Sequence, residues 1–538
     1  MGNWTEIVKR LVCTETLEAK KATNSLNYLI YSPVPWTQGN IERMLSIALQ
    51  LRGHAVDEII CGGNFPACGM EHSNAKRPAC TECYQSALNW FDLWGLKADS
   101  TEVYRDIHDL EIAREVITGL HLERFLEMNY NELTTLTFGG YPLGARIYQQ
   151  VYWYFSGNFT DRETLLAYLE RCATSYIVGI AVAHRILTRK KYAAIIVANG
   201  KTIEGSPIID VASKYGIRYI TWEEIIIFDN NGPVIEFNQH GVWESVRNLV
   251  LSKDEINEIE RFFGSWKNSE NTSWVKDPVL DPDIIYERLG LRTNSFKIAL
   301  FPNLLLDSSI IGMNVAFDSV FDWLYSCIDY AIANPDVDLI IRSHPAEKAD
   351  FDFLTSQVVV VDEIKKRYGH VPANLYLIES DSHISSYGLI QLVDIPMTYT
   401  GTLALEAPLN DKLFVIVGKS NLRNKGFTID IRTREELFAL FDKREPLRKP
   451  TAYEKELAYR YAYLYKIRMI SNPDFYNKKA VTFDIKTLHM LEEGGHVFWD
   501  NLCESIIKNY AFIDLDRHDR TPIDLNGTDL SGNAATRE

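Results

Sequence analysis

The chain has 538 residues, of which 46% are hydrophobic and 24% are charged, a composition typical of globular proteins. This length exceeds what one hydrophobic core supports and predicts two domains. The formal net charge of −16 argues against a protein built mainly to bind nucleic acid, since such proteins carry an excess of cations.

The N-terminal residues contain no continuous apolar core of signal-peptide length. No apolar run approaches the roughly 18 residues that a membrane-spanning helix needs. We therefore expect a cytoplasmic protein without a transmembrane segment, for which peripheral association with a membrane stays open.

The first half begins with a strand–helix–strand pattern. The run LNYLIYSP predicts a strand, Ile41–Leu51 an amphipathic helix and VDEIICGG a second strand. This βαβ start is typical of a doubly wound sheet. Gly39 lies in the connecting loop, where the main chain could approach a ligand closely.

The same alternation continues further along. Arg162–Lys190 predicts a long helix, YAAIIVANGK a buried strand, Ile208–Lys214 a helix and GIRYITWE another strand. Asn199 and Lys201 follow the strand YAAIIVANGK and are candidates for lining a cleft. Candidates for a general base are Glu204, Glu223 and His240, and a solvated or structural role is the alternative for each.

Four of the eight cysteines are clustered in CGGNFPACGMEHSNAKRPACTEC, as Cys61, Cys68, Cys80 and Cys83. In a reducing compartment such a cluster suggests a metal site more than disulfides. Only Cys80 and Cys83 form a CxxC pair. The alternatives are a structural zinc site and a cysteine-rich loop with a disulfide.

The polar segment Asn268–Asp283 predicts a domain boundary, because it also carries two prolines. A second α/β series follows, with strands at FKIALFPN, DLIIRS, NLYLIE, before Thr400 and at Phe414–Gly418, and a long helix around Asn314–Ala333. We predict an N-terminal Rossmann-like domain over residues 1–275 with a cysteine-rich insertion at 61–83, a C-terminal Rossmann-like domain over 284–450, helices over 451–515 and a disordered tail over 519–538.

Two strand ends of the second half are candidate phosphate sites. On a strand, Arg342 and His344 point to the same side, and Pro345 suits the first position of a helix. Both side chains can donate to a phosphate. The alternative is a surface turn.

Thr400, Gly401 and Thr402 precede the helix LALEAPL and offer hydroxyls and main-chain N–H groups, with Gly401 leaving room for a ligand. Glu406, one turn later, could accept hydrogen bonds from ribose. The alternative is an ordinary helix start with a solvated glutamate.

Cations and polar residues flank the same sheet edge. Lys425, with Lys419 and Arg423, lies in the loop KSNLRNKGFT and could balance a diphosphate or a sugar carboxylate without a metal. An exposed basic loop is the alternative. The segment FPNLLLDSS adds the candidate lining residues Asn303, Asp307 and Ser308.

The segments FPNLLLDSS, RSHPAE, YTGTLALEAPLNDK and NKGFT, in this order, resemble the capsule polysaccharide biosynthesis proteins, bacterial glycosyltransferases related to capsular Kdo transferases. The resemblance covers roughly residues 295–430. The HP dipeptide also resembles bacterial sialyltransferases and the glycerophosphotransferases of teichoic acid synthesis. The turn TGT departs from the Ser/Thr-rich run of many relatives, which weakens any assignment of the donor.

The resemblance implies a GT-B-like α/β fold, in which two Rossmann-like, doubly wound domains face each other across a cleft. The second domain would bind the donor, with its phosphate at His344–Pro345 and Thr400–Thr402 and its ribose at Glu406. The first domain would hold the acceptor and supply the base. Such enzymes need no metal for the chemistry, because helix termini and cations stabilise the leaving group.

We therefore predict a glycosyltransferase that moves a sugar from a CMP-, UDP- or GDP-linked nucleotide-sugar donor to a glycan, lipid-linked or protein acceptor, in surface polysaccharide or glycoconjugate biosynthesis. The alternatives are a CDP-alditol phosphotransferase of the teichoic-acid type, a nucleotide-sugar epimerase, and a non-catalytic assembly protein with a vestigial nucleotide site.

Overall fold

The structure is a computed structural model. It describes residues 25–33, 39–72, 79–128, 130–155, 159, 161–222, 243, 247–267, 277–305, 310–348, 358–464, 476–477, 482–483 and 488–508. The chain divides into two compact units. The first comprises residues 1–151, 161–248 and 464–538, and the second comprises 152–160 and 249–463.

The first unit is built on a five-stranded parallel sheet. Its strands are β1 (Asn27–Ser32), β2 (Ala55–Ile60), β3 (Asp99–Ser100), β4 (Ala194–Ala198) and β5 (Tyr219–Trp222), in the order β3-β2-β1-β4-β5. The register places Tyr28 opposite both Val56 and Ala194. The central strands β1 and β4 are almost entirely buried, as parallel strands covered on both faces require.

Eight helices of the described residues belong to the first unit: α1 (Gly39–Leu51), α2 (Cys80–Trp94), α3 (His108–Leu120), α4 (Tyr130–Thr134), α5 (Leu143–Phe155), α6 (Arg162–Arg189), α7 (Ser206–Lys214) and, from the end of the chain, α16 (Val497–Lys508). The last residues of α5 are grouped with the second unit. Among the described residues, α6 alone is long and apolar enough to cross a membrane. Its most apolar window is 67% buried, as in a core helix.

The second unit contains a six-stranded parallel sheet. Its strands are β6 (Phe296–Phe301), β7 (Val337–Arg342), β8 (Leu375–Ile378), β9 (Ile395–Thr398), β10 (Val415–Ile416) and β11 (Ile429–Asp430), in the order β11-β10-β9-β6-β7-β8. Every residue of β6 and β7 is buried. These strands form the core with Trp323, Leu324 and Ile328 of the long helix beside them.

The helices of the second unit are α8 (Lys253–Lys267), α9 (Pro282–Leu289), α10 (Val320–Ala333), α11 (Val360–Tyr368), α12 (Ser386–Leu392), α13 (Leu403–Leu409), α14 (Arg434–Asp442) and α15 (Ala452–Ala462). Short 3₁₀ helices lie at Thr101–Tyr104, Leu122–Leu126, Pro345–Lys348 and Leu488–Leu491, and β12 (Tyr476–Asn477) pairs antiparallel with β13 (Thr482–Phe483). The predicted α/β class with two Rossmann-like, doubly wound domains is confirmed.

The limits of the units differ from the predicted ones. The chain enters the second unit at residue 249, before α8, and the predicted linker Asn268–Asp283 lies after that helix. The predicted C-terminal helices do not form one group, since α15 belongs to the second unit and α16 to the first. The predicted disordered tail, 519–538, lies outside the described residues.

The C-terminal helix α16 is tied to the first unit by buried apolar side chains and by arginines. Arg52 at the end of α1 donates to Asp500 at 2.5 Å and to the carbonyl of Leu491 at 2.6 Å. Arg218 donates to the carbonyl of Ile506 at 2.6 Å. The helix therefore completes the core of the first unit from the far end of the chain.

We expect Trp499→Ala to lower the free energy of unfolding by about 3 kcal/mol, because Trp499 is 0% exposed and its removal leaves a cavity. Chemical denaturation measures the change. The matched control is Val497→Ala in the same helix, where the side chain is 38% exposed and the expected change is within about 0.5 kcal/mol. Equal effects of the two substitutions would contradict the packing of α16 described above.

Candidate functional site

The strand order of the second sheet creates a topological switch point between β6 and β9. The chain builds outward from β6 to β7 and β8, then returns to build β9, β10 and β11 on the other side. The connections after β6 and β9 therefore lead to opposite sides of the sheet, and open α/β sheets bind ligands in the crevice that such a switch point forms at the carboxyl ends of the strands. The predicted segments at Asn303 and Thr400 lie on the two sides of this crevice.

Asn303 and Thr400 contact each other at the switch point. The Asn303 side-chain oxygen accepts a hydrogen bond from the main-chain N–H of Thr400 at 3.0 Å. At the ends of β6 and β9, the Thr398 hydroxyl donates to the carbonyl of Phe301 at 2.7 Å. The two loops are thereby joined at the base of the crevice. The other candidates of the first loop, Asp307 and Ser308, lie outside the described residues.

Gly401 is required by a contact within the protein. Its N–H donates to the Thr398 hydroxyl at 3.1 Å, and a Cβ at this position would lie 2.7 Å from the same oxygen. The glycine was predicted to make room for a ligand, whereas the contact that excludes a side chain is with Thr398. Thr402, the next residue, is exposed directly before α13, so its hydroxyl is accessible.

Ser420 is a polar residue of this edge that sequence reasoning missed. Its hydroxyl donates to the carbonyl of Thr400 at 3.3 Å and accepts from the N–H of Leu422 at 3.2 Å. The signal was its position immediately beyond the strand at Phe414–Gly418, beside a lysine. Lys419 itself is exposed at the same edge.

The other two cations of this loop have structural contacts. Lys425 is only 8% exposed, and its ammonium lies 5.9 Å from the centre of the Tyr461 ring in α15. Arg423 donates to the carbonyls of Ile416, Gly418 and Ile431. Of the three predicted cations, Lys419 is therefore the one that a ligand in solution would meet.

Arg342 supports a loop and does not face the crevice. It is 1% exposed, and all three guanidinium nitrogens donate to main-chain carbonyls. These carbonyls belong to Ser343, Glu379, Ser380, Ser382 and Ile384. Burial lowers its pKa to about 10. The structure thus gives Arg342 a supporting role in place of the predicted phosphate contact, because a buried cation needs this many acceptors.

His344 lies two residues after Arg342 and is half-buried. Pro345 begins a short helix, as predicted. The His344 Nδ1 accepts a hydrogen bond from the Ala346 N–H at 3.1 Å, so the proton of the neutral ring is on Nε2. Burial, together with the Arg342 guanidinium, lowers the pKa of His344 to about 4. At neutral pH this side chain is an uncharged donor.

Glu406 is a buried acceptor in α13. Its carboxylate accepts a hydrogen bond from the Tyr387 hydroxyl at 2.5 Å, and burial raises the pKa of Tyr387 well above its ordinary value. Both residues line a small cavity of about 20 Å³, with room for one water molecule. A ribose hydroxyl at the predicted position would therefore compete with the Tyr387 hydroxyl for the Glu406 carboxylate.

The first sheet has its own switch point, between β1 and β4. Gly39 is the first residue of α1, which follows β1, and Asn199 and Lys201 follow β4, so the three predicted cleft residues lie on the connections that leave this switch point. Asn199 has a left-handed φ of 58°, and its side-chain oxygen accepts from the Lys201 N–H at 3.0 Å. This local hydrogen bond supports the turn that carries Lys201.

Glu204, a predicted base, is completely buried near the same switch point. Its carboxylate accepts a hydrogen bond from the Gly69 N–H at 2.9 Å, and its carbonyl accepts one from the Tyr31 hydroxyl at 3.2 Å. A general base must reach the proton that it removes, and a 0% exposed carboxylate does not reach an acceptor in solution. Glu204 instead holds the Gly69 loop. The other predicted bases, Glu223 and His240, lie outside the described residues.

A buried ionic cluster near the first switch point was not anticipated. The Arg43 guanidinium lies between the carboxylates of Glu42, at 3.0 Å, and Glu58, at 3.4 Å. Ser32 and Trp222 also donate to Glu42. Burial raises the pKa of Glu42 and raises that of Glu58 to about 7. The sequence did contain a signal for this cluster, namely charged residues within the otherwise apolar segments IERM and VDEII.

The four clustered cysteines do not form the predicted zinc site. Among the described residues, no group of three or more His, Cys, Asp or Glu side chains is arranged to hold a metal ion. Cys68 is buried, whereas Cys61, Cys80 and Cys83 are partly exposed, and all four are thiols. Within the described part of the predicted cysteine-rich insertion, Cys61 and Cys68 precede α2, and Cys80 and Cys83 lie in its first turn.

No protein-family model and no curated protein matches the sequence. Solved structures with similar architecture include the β-Kdo 2,4-transferase KpsC of Thermosulfurimonas dismutans, at 11% identity and a TM-score of 0.32 over 50% of this chain and 79% of that one. The UDP-GlcNAc 2-epimerase of Neisseria meningitidis bound to UDP-GlcNAc matches at 13% identity and a TM-score of 0.23, over 82% and 96%.

The UDP-GlcNAc 2-epimerase of Methanocaldococcus jannaschii, in complex with UDP-GlcNAc and UDP, matches at 10% identity and a TM-score of 0.25, over 80% of this chain and 97% of that one. These identities and TM-scores are too low to assign the chain to either group of enzymes. The fold class rests on the two parallel sheets described above.

Glu347 is 0% exposed, and its main-chain N–H donates to the carbonyl of His344 at 3.0 Å. Burial raises its pKa from 4.5 to about 7, against the opposing effects of Ser343, the Val360 N–H and Arg342. Between these two values the folded chain holds more protons than the unfolded chain, so the free energy of unfolding falls as the pH rises through this window.

We expect Glu347→Gln to remove this loss of stability. Raising the pH from about 5 to about 8 should lower the thermal midpoint of the wild-type chain more than that of the variant. Scanning calorimetry across the pH series measures the difference. Glu445→Gln, at an exposed carboxylate of the same unit, should follow the wild-type curve. Parallel curves for wild type and Glu347→Gln would show that Glu347 does not titrate in this window.

Proposed function

We propose that the protein is a glycosyltransferase that uses a nucleotide-sugar donor bound at the switch point of the second unit. The observation that supports this most is the set of neutral polar groups at the carboxyl ends of adjacent strands: Asn303 after β6, Thr400–Thr402 after β9 and Ser420 after β10. Hydroxyl, amide and main-chain groups at such a crevice suit a nucleotide, which presents phosphate oxygens and ribose hydroxyls.

Positive charge at this crevice would come from an exposed side chain. Lys419 is exposed and can pair with a diphosphate, while the neutral His344 offers an Nε2–H donor. A neutral donor avoids placing a desolvated cation beside Arg342, and it can still stabilise the phosphate that leaves. Thr402 adds an accessible hydroxyl at the same edge.

The proposed reaction is a displacement at the anomeric carbon of the donor. The bond from that carbon to the phosphate oxygen breaks, and the electron pair stays with the departing nucleotide. The acceptor oxygen, from a glycan, lipid-linked or protein hydroxyl, forms the new bond. Its proton passes to a base, for which Glu223 and His240 remain the predicted residues.

A screen of nucleotides by thermal shift tests the donor site. We expect one of CMP, CDP, UDP and GDP to stabilise the chain by about 2.7 kcal/mol at about 100 times its dissociation constant. Adenosine phosphates serve as the control. If none of the four raises the midpoint, the proposed nucleotide site is wrong.

Two substitutions at His344 distinguish the roles of its two ring nitrogens. His344→Gln keeps an N–H donor near the Nε2 position, whereas His344→Asn keeps a group near Nδ1 that can accept from Ala346. We expect His344→Asn to weaken nucleotide binding by about tenfold, the loss of one hydrogen bond to a charged group, and His344→Gln to weaken it less. Isothermal titration measures both. Equal affinities for the two variants would remove His344 from the donor site.

The products of the reaction distinguish a glycosyltransferase from the three alternatives. Incubation with the nucleotide sugar that corresponds to the stabilising nucleotide should release that nucleotide only when an acceptor is present. Conversion of the sugar without acceptor would identify an epimerase. Release of CMP with transfer of an alditol phosphate would identify the phosphotransferase. Nucleotide binding without any turnover would favour the assembly protein.

A further inference from the structure

Three thiols lie together near the carboxyl edge of the first sheet. Cys61 follows β2 directly, and Cys80 and Cys83 occupy the first turn of α2. Cys61 is close enough to both to interact with them electrostatically. Gly63 brings the two segments together, since a Cβ on it would lie 3.1 Å from the Cβ of Cys80 and 3.8 Å from its sulfur.

The loop that carries Cys61 is held firmly. The Gly62 N–H donates to the Thr101 hydroxyl at 2.9 Å, and that hydroxyl donates to Asn64 at 2.7 Å. The Cys61 sulfur accepts the Gly63 N–H at 3.2 Å. Burial raises the pKa of Cys61 to about 12, so this thiol stays protonated and is a poor nucleophile.

Cys80 and Cys83 lie in a helix, whereas Cys61 lies in a loop. They are three positions apart on one helix face, which places their Cβ atoms about 5–6 Å apart. A disulfide needs about 4 Å, and a small unwinding of the first helical turn closes this gap. The rest of α2 can stay in place, because Ala87 and Phe91 pack against Ile60 of β2. Both thiols are partly exposed and therefore accessible to a small oxidant.

We propose that Cys80 and Cys83 form a reversible dithiol–disulfide pair near the carboxyl edge of the first sheet. The oxidant class is a low-molecular-weight disulfide. One thiolate of the pair attacks a sulfur of the oxidant, forms a mixed disulfide and releases one thiol. The second cysteine attacks the protein sulfur of that mixed disulfide and releases the second thiol. Two electrons pass from the pair to the oxidant, and two protons accompany the released thiols.

The test uses the full-length chain equilibrated with increasing ratios of oxidised to reduced glutathione. The samples are quenched with acid, alkylated under denaturing conditions, digested and analysed by mass spectrometry. We expect the peptide containing Cys80 and Cys83 to lose two hydrogens, reversibly on reduction. Cys61 and the buried Cys172, Cys327 and Cys503 should remain alkylated thiols.

Two variants and one unfolded sample serve as controls. Cys61→Ser should keep the intramolecular disulfide, whereas Cys83→Ser should stop at the mixed disulfide of Cys80 with glutathione. The chain unfolded in urea should give a mixture of pairings. A disulfide that includes Cys61, mixed disulfides alone in the wild-type chain, or a native pattern equal to the unfolded one would each overturn the proposal.

Discussion

The Thr398 hydroxyl joins the two strands that bound the switch point of the second unit. It donates to the carbonyl of Phe301 at the end of β6 and accepts the Gly401 N–H in the turn after β9. The residue is buried, so breaking either bond would leave a polar group without water to replace it. The position of Thr400, and with it the contacts to Asn303 and Ser420, follows from this one side chain.

Charged and neutral groups have separate tasks in the second unit. Arg342 and Arg423 donate to main-chain carbonyls, and Lys425 lies against an aromatic ring, so three of the cations that the sequence offered stabilise loops. Burying a cation is unfavourable unless acceptors surround it, and main-chain carbonyls provide them for both arginines. Among the described residues at this edge, the crevice is offered hydroxyls, amides, the neutral His344 and the exposed Lys419.

The first unit also buries charged side chains. Glu42, Arg43 and Glu58 form a buried cluster between α1 and β2, and Glu204 is buried at a separate position. Loss of hydration on burial raises the pKa of both carboxylates, against the opposing effect of the Arg43 guanidinium that they share. This arrangement ties the stability of the unit to protonation, whereas the thiols of Cys80 and Cys83 lie outside it.

The sequence by itself predicted the strands of both sheets except the two-residue strands β3 and β11, since continuous apolar runs such as FKIALF and AIIVA are typical of parallel strands covered on both faces. It also placed Asn303, Thr400 and His344 at the carboxyl edge of the second sheet, because these residues closely follow the strands β6, β9 and β7. Only the tertiary structure decided which polar residues stay accessible. Arg342, Lys425 and Glu204 look like ligand contacts in the sequence and are buried by distant segments, and α16 completes a core whose other helices lie hundreds of residues earlier. The physical reason is that accessibility and hydrogen-bond partners are set by packing between segments far apart in the chain, which local pattern does not encode.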